Sequence, residues 1–378
     1  MTTPDHGSAR QLDVRTIPAE EHRDFVESRG ASFLQTPAWA GVKSEWRGES
    51  LGWFDGTELV GAGLVLYRQL PKLKRYLAYL PEGPVLDWAD VDAADFLVPL
   101  AAHLKRSGAF GVRIGPTLVH RRWDAPTIKA AVADEAVGSL LEVEPTEADP
   151  AAPRLRDRLL DLGWIPPKHT DGFAAGQPAY NFWLPLADKS PDDLLAGMNQ
   201  QWRRNIKKAT KAGVAVTVGG PDDLAAFHEL YVETARRDGF EPRPLPYFQT
   251  MYAEMNAEDP DRIRVYLAHH DDNLVAATLW IRVGTHVWYA YGASSTAHRD
   301  VRGSNAIQWQ MMTDALEAGA TVYDLRGVTP GVGADDPELG LIQFKVGTGG
   351  GIVEYLGEWD LPLNKVLYKA FDLYMSRR

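Results

Sequence analysis

Five cations fall at spacings of three and four between Ser190 and Gly213: Arg203, Arg204, Lys207, Lys208 and Lys211. On a helix that spacing puts them on one side. No acid is interleaved, so the stripe either faces solvent or lies against phosphates of an RNA or a nucleotide-linked substrate. Ser190, Pro191 and Asp193 have the types of an N-cap, a first helical residue and a capping-box partner, and Gly213 is a stop signal, which predicts one helix over the whole run. A second group sits in the Pro- and Gly-containing segment from Tyr231 to Phe248, where Arg243 and Tyr247 stand four residues apart. A guanidinium fork and a phenol suit phosphate oxygens. A third is Phe344-Lys345 ahead of Gly347, Gly349, Gly350 and Gly351. The glycines would let backbone approach a ligand, and Lys345 would supply a cation to an oxyanion forming on a carbonyl. Tyr289 and Tyr291 alternate along a predicted strand, Trp288 to Ala293, where core packing is the ordinary explanation.

The rest of the composition removes alternatives. The chain has 378 residues, a net charge of −11 and no Cys, so a thiol nucleophile, thiolate metal sites and disulfides are excluded. The negative balance argues against DNA as a partner and confines any RNA contact to a local basic patch. No GxSxG, HExxH or Walker pattern occurs, and no cofactor is expected. His298 to Ala306 stands where a coenzyme A pyrophosphate loop would lie, yet only Gly303 fits, with Asn305 in place of a second small residue. The first residues are polar, and no apolar run reaches the 18 or so residues of a membrane span, so a cytoplasmic location is expected.

These side chains need a frame, and the chain reads as a duplication. Leu59–Leu64 resembles Leu274–Leu279, 215 residues on, and the segment from Gly108 resembles that from Gly319, 211 residues on. Each unit reads as hairpin, strand, helix, strand, the order of GCN5-related acyltransferase (GNAT) domains. The expected fold class is α/β (α+β): two tandem GNAT-like units, mixed sheets flanked by helices. The first would cover residues 1–180, completed by 358–378, and the second 181–357. A helix is predicted from Arg154 to Leu162, ending at Gly163. The C-terminal helix would turn Leu363, Val366, Leu367, Ala370, Phe371 and Tyr374 toward the first unit, with a membrane surface as the alternative.

Taken with Gln35–Lys43, Pro81–Val85, Arg203–Ala209, Tyr323–Gly327 and Phe344-Lys345, the chain resembles the Fem family (FemABX) of peptidoglycan bridge aminoacyltransferases from about Phe33 to Tyr355. The resemblance implies aminoacyl-tRNA as donor and a peptidoglycan precursor as acceptor, lipid II or its UDP-linked form, with work at the inner face of the membrane in the lipid-linked case. It implies that Lys43, Arg243 and Tyr247 hold the acceptor's diphosphate, that Tyr289 or Tyr291 lies near the acceptor, and that Lys345, with Phe344 beside it, assists transfer. The cationic stripe would then touch tRNA. Two departures stand out: Gly115-Pro116 replaces the Asp-Pro of relatives, and no coiled-coil arm lies between Met255 and Arg262. A coenzyme A-dependent acyltransferase and a non-catalytic precursor binder are the competing readings.

Overall fold

The computed structural model describes residues 12–166 and 176–375. Five strands open the chain: β1 (Asp13–Thr16), β2 (Arg47–Asp55), β3 (Glu58–Gln69), β4 (Tyr76–Leu80) and β5 (Ala109–Ile114). Then come β6 (Val119–Trp123), β7 (Glu147–Ala148), β8 (Tyr180–Pro185), β9 (Ala215–Gly219), β10 (Ile263–His270), β11 (Asn273–Val283), β12 (His286–Ser294), β13 (Val322–Gly327) and β14 (Gly351–Tyr355). The last strand, β15 (Trp359–Pro362), returns to the first sheet, whose order is β1-β2-β3-β4-β5-β15. The second sheet runs β7-β6-β14-β8-β13-β12-β11-β10-β9.

The duplication is visible in the pairing. β2, β3 and β4 are antiparallel and β4 joins β5 in parallel; β10, β11 and β12 are antiparallel and β12 joins β13 in parallel. Each parallel pair is spanned by a helix, Ala93–Arg106 in one unit and Gly303–Glu317 in the other, as a crossover requires. The fold is thus two tandem GNAT-like units of mixed sheet and helix. No coiled-coil arm occurs among the described residues, whose longest helices are Leu224–Asp238 and Gly303–Glu317 at 15 residues each. No single cut separates the sheets. β6 and β7 extend the second sheet through β14, while β15 comes back to β5.

Between the units, Arg262 is fully buried and pairs with Glu27, Glu258 (3.1 Å) and Asp259 (3.8 Å). Glu258 also accepts the Ala38 N–H at 2.8 Å, which draws the short helix Ala38–Val42 onto Leu245–Glu258. At Gly41 a Cβ would stand 2.2 Å from the Glu254 carboxylate, so a larger residue there would have to displace that side chain.

Three local expectations need correction. The run from Ser190 is two helices, Pro191–Gly197 and Gln200–Lys211. The capping box at Ser190 forms, but Met198 is extended and Asn199 caps a new helix by accepting the Trp202 N–H at 2.8 Å. The glycines after Lys345 are packed against protein: an added Cβ would meet Trp202 at 2.2 Å from Gly347, the Gly197 carbonyl at 2.6 Å from Gly349, the Trp183 carbonyl at 2.4 Å from Gly350 and the Trp123 carbonyl at 2.4 Å from Gly351. They serve close packing between elements, and no ligand is needed to explain them. The C-terminal helix, Lys365–Met375, rests on the first sheet through Phe371 on Phe110 (5.5 Å), as expected, and also through Tyr368 on Asp360, but Val366 is exposed.

Candidate functional site

Helices Ala38–Val42 and Leu245–Glu258 bring three expected residues together. Lys43 follows the first helix, and its Nζ stands 5.3 Å from the Tyr247 ring centre and 5.6 Å from that of Trp39. Arg243 closes the loop before the second helix, with its guanidinium 5.4 Å from the same Tyr247 ring. Tyr247 Oη and Tyr291 Oη are 3.3 Å apart. Among the described residues, neither cation has a carboxylate at ion-pair distance. Burial lowers the Lys43 ammonium below its ordinary range, and Arg243 adds to that by repulsion, against a weaker opposing pull from Glu45. Burial, then Tyr291, pushes the Tyr247 phenol well up, so it stays a neutral donor. Two cations without an ion-paired carboxylate thus flank one phenol ring, an arrangement that can accept an anion.

Tyr289 lies apart from this cluster. β12 bulges against β11: Leu279 faces Tyr291 and Trp280 faces Tyr289, leaving Ala290 as the extra residue. A bulge breaks the two-residue alternation. Tyr291 therefore joins the aromatic group of Tyr231, Tyr247 and Phe248, while Tyr289 packs on the core beneath the second sheet.

Lys345 sits in the short helix Leu339–Val346, only 3% exposed. Its Nζ donates to the carbonyls of Arg326 (3.2 Å) and Gly327 (2.7 Å) at the end of β13. Burial lowers its pKa to about 7, against an opposing pull from Asp324. Phe344 faces away from this group. Its ring lies 4.8 Å from that of Trp202, and its carbonyl accepts the Trp202 indole N–H at 2.8 Å.

Around Lys345 the structure shows residues to which the sequence pattern assigned no chemistry. Arg326 and Glu82 both hold left-handed backbone, φ +62° and +48°, at a cost of order 1–3 kcal/mol each. Their side chains pair across the two units at 3.1 Å. Glu82 also accepts the Ser32 hydroxyl, and Arg326 donates to Gln177 at 3.2 Å. Asp324 is buried. It accepts the Trp183 indole N–H at 3.0 Å and the Arg326 backbone N–H at 2.6 Å, with His286 Nε2 at 3.5 Å. Burial alone would push this carboxyl up; His286 and Arg326 outweigh it and hold it below its usual range. Glu82, Trp183, His286, Trp288 and Tyr355 line a cavity of about 280 Å³ in front of this network. At Gly115 a Cβ would stand 3.1 Å from the Glu82 backbone, so a larger residue would press on Glu82. The signal for these residues was charge inside otherwise apolar strands, at Asp324 and Arg326.

Lys345 is not among the residues lining that cavity, and Lys43 and Arg243 are not either. What connects the two groups is an aromatic wall: Phe33 touches Trp39 (5.4 Å) and Trp288 (5.3 Å), and the Arg326 guanidinium lies 5.5 Å over the Phe33 ring.

The cationic stripe divides. Arg203 Nη1 donates to the carbonyls of Leu195 (3.2 Å), Ala196 (3.3 Å) and Met198 (2.5 Å), closing the end of the preceding helix. Arg204, Lys207, Lys208 and Lys211 are exposed.

The sequence profile described as the FemAB family matches residues 17–271 and 261–375. The chain belongs to the FemAB family. FemAB relatives named lipid II:glycine glycyltransferase are 25% identical in Staphylococcus epidermidis RP62A, over 97% of this chain and 96% of theirs, and 24% in Staphylococcus haemolyticus, with the same coverage. A crystal structure of FemX superposes with a TM-score of 0.79 at 23% identity, covering 95% of this chain and 99% of that one. A tandem GNAT protein from the clavulanic acid biosynthesis pathway gives 0.51 at 12% identity, over 93% and 99%. The FemAB fold therefore extends over nearly the whole chain, with its duplicated acyltransferase architecture. No helix among the described residues is long and apolar enough to cross a membrane.

Proposed function

We propose that this chain transfers an amino acid from aminoacyl-tRNA to an amine on the peptide stem of a peptidoglycan precursor, lipid II or its UDP-linked form. The observation that carries the reading is the pairing of Lys43 and Arg243 around Tyr247 without a carboxylate to neutralise them. Two cations held in mutual repulsion cost stability unless an anion returns it, and a diphosphate has the charge and reach to contact both. The names of the staphylococcal relatives favour glycine as the residue added and a lipid-linked acceptor. Tyr247 and Tyr291 donate to the same acceptor; Tyr289 holds the strand from behind. Exposed Arg204, Lys207, Lys208 and Lys211 meet the tRNA backbone, and Arg203 positions that helix.

The donor ester is already activated, so the reaction is attack by an amine on a carbonyl carbon. Positioning and charge stabilisation carry most of the rate. In its protonated form Lys345 spends two of its three N–H donors on carbonyls and keeps one for the oxyanion, so this role belongs to the charged fraction of a group whose pKa is about 7. Phe344 fixes the helix that presents it. The test is incubation with pooled aminoacyl-tRNA and each acceptor in turn, followed by mass spectrometry. Growth of the acceptor by one amino-acid residue supports the reading. Unchanged acceptor with every charged tRNA, beside tight precursor binding, would make the protein a binder instead.

A further inference from the structure

We propose that His286, oriented by Asp324, is the base that takes a proton from the attacking amine, inside the cavity between the two sheets. The inference rests on the transfer reaction proposed above.

His286 opens β12 and lines the 280 Å³ cavity together with Ser32, Glu82, Trp183, Trp288 and Tyr355. Its ring is fixed, stacked on Trp288 at 4.1 Å and edge-on to Trp183 at 5.4 Å. Its Nε2 is buried without a hydrogen-bond partner among the described residues, and the nearest carboxylate oxygen, Asp324 Oδ2, is 3.5 Å away. Asp324 is itself held by the Trp183 indole and the Arg326 backbone N–H. A carboxylate on that side keeps the proton on Nε2 and leaves the Nδ1 lone pair as acceptor. A ring held by two tryptophans at a cavity wall, with a carboxylate 3.5 Å away, can serve as a general base.

The neighbouring groups are worse candidates. The Glu82 carboxylate is taken by Ser32 and Arg326. Lys345 is turned onto two carbonyls. Burial, then the charges of Asp324 and Glu82, drives the Tyr355 phenol far up, so it keeps its proton. The charged groups facing His286 are Asp324 from β13, Glu82 across the cavity, Arg326 beyond Asp324, and Arg29 and Asp87 at the rim. Carboxylates and guanidinium thus stand close to balance, and a cationic amine can enter.

In the step itself, His286 Nδ1 takes one proton from the acceptor's ammonium. The freed lone pair forms the C–N bond to the ester carbonyl carbon of the aminoacyl donor. Collapse of the tetrahedral intermediate breaks the C–O bond to ribose. The imidazolium protonates the departing ribose oxygen, and the second proton lost by nitrogen goes to water.

The experiment measures transfer from aminoacyl-tRNA across pH 5.5–8 for wild type and His286→Gln, with acceptor binding followed by calorimetry. His286→Ala is assayed with and without added imidazole. We expect His286→Gln to lower kcat by about 10²–10⁴-fold, to flatten the acid limb of the profile, and to leave acceptor affinity within about threefold. Imidazole should restore part of the His286→Ala rate. Wild-type turnover or an unchanged acid limb in His286→Gln would overturn the base while leaving the transferase intact. Loss of acceptor binding in both variants, without imidazole rescue, would make His286 a structural residue and also overturn it. Absence of transfer by the wild-type protein would overturn the function and this inference together.

Discussion

Replacing Lys345 with Met separates its charge from its packing. The ammonium is buried, and its pKa drops from 10.5 to about 7. Because the folded value lies below the unfolded one, the unfolded chain keeps a proton that the folded chain has released. Stability therefore rises with pH between about 7 and 10.5. The slope is roughly 1.4 kcal/mol per pH unit, or about 2 kcal/mol from pH 7.5 to 9. At pH 7.5 the buried group still costs about 4 kcal/mol on the same linkage. Lys345→Met removes that cost but strands the carbonyls of Arg326 and Gly327, at about 1–3 kcal/mol each. The two effects nearly cancel, so stability at one pH decides nothing. The pH dependence decides. Urea unfolding followed by tryptophan fluorescence at pH 7.5, 8.2 and 9 should show the wild type gaining on Lys345→Met by about 2 kcal/mol. Parallel pH dependences would mean that Lys345 is not desolvated and that its environment is wetter than the structure shows.

Other consequences follow from the same side chains. Glu82→Gln leaves the Arg326 guanidinium without its countercharge between the units; a loss of about 3–5 kcal/mol is expected by chemical denaturation, and one under about 1 kcal/mol would show the pair to be solvated. Gly350→Ala forces a Cβ against the Trp183 carbonyl and should cost about 1–3 kcal/mol in the same assay; a neutral substitution would contradict the packing reading of the glycine run. Removing Lys207 and Lys208 together should reduce the slope of log affinity for tRNA against log salt by about 0.7–0.9 for each phosphate no longer neutralised. Arg203→Ala should leave that slope in place and lower the melting temperature, since its donors are spent on helix carbonyls.

What could be read in advance follows from how local each cause is. The duplicated hairpins were legible because apolar alternation repeats with the same offset. The capping box at Ser190 was legible because its residues are three apart. The break at Met198 was not: Asn199 is one polar residue within a polar, cationic run, and its capping role depends on an extended Met198. The bulge that parts Tyr289 from Tyr291 depends on pairing with β11, which spacing along β12 does not encode. Arg243 and Tyr247 stand out by type and spacing, and Lys43 only through family resemblance; their convergence depends on Arg262 and Glu258 drawing two distant helices together. His286 went unnoticed because it follows the turn at Gly284-Thr285 and gains its carboxylate from another strand.

A diphosphate clamped between Lys43 and Arg243 is the central claim. The most direct measurement is calorimetry of a UDP-linked muramyl pentapeptide against the same peptide-sugar lacking the diphosphate, on wild type, Lys43→Ala and Arg243→Ala. Each substitution is predicted to weaken binding of the diphosphate ligand by about 10- to 100-fold, about 1.5–3 kcal/mol for a bond to a charged group. The diphosphate-free ligand should bind weakly to all three proteins alike. Equal affinity of wild type for both ligands, or full affinity in both variants, would contradict it.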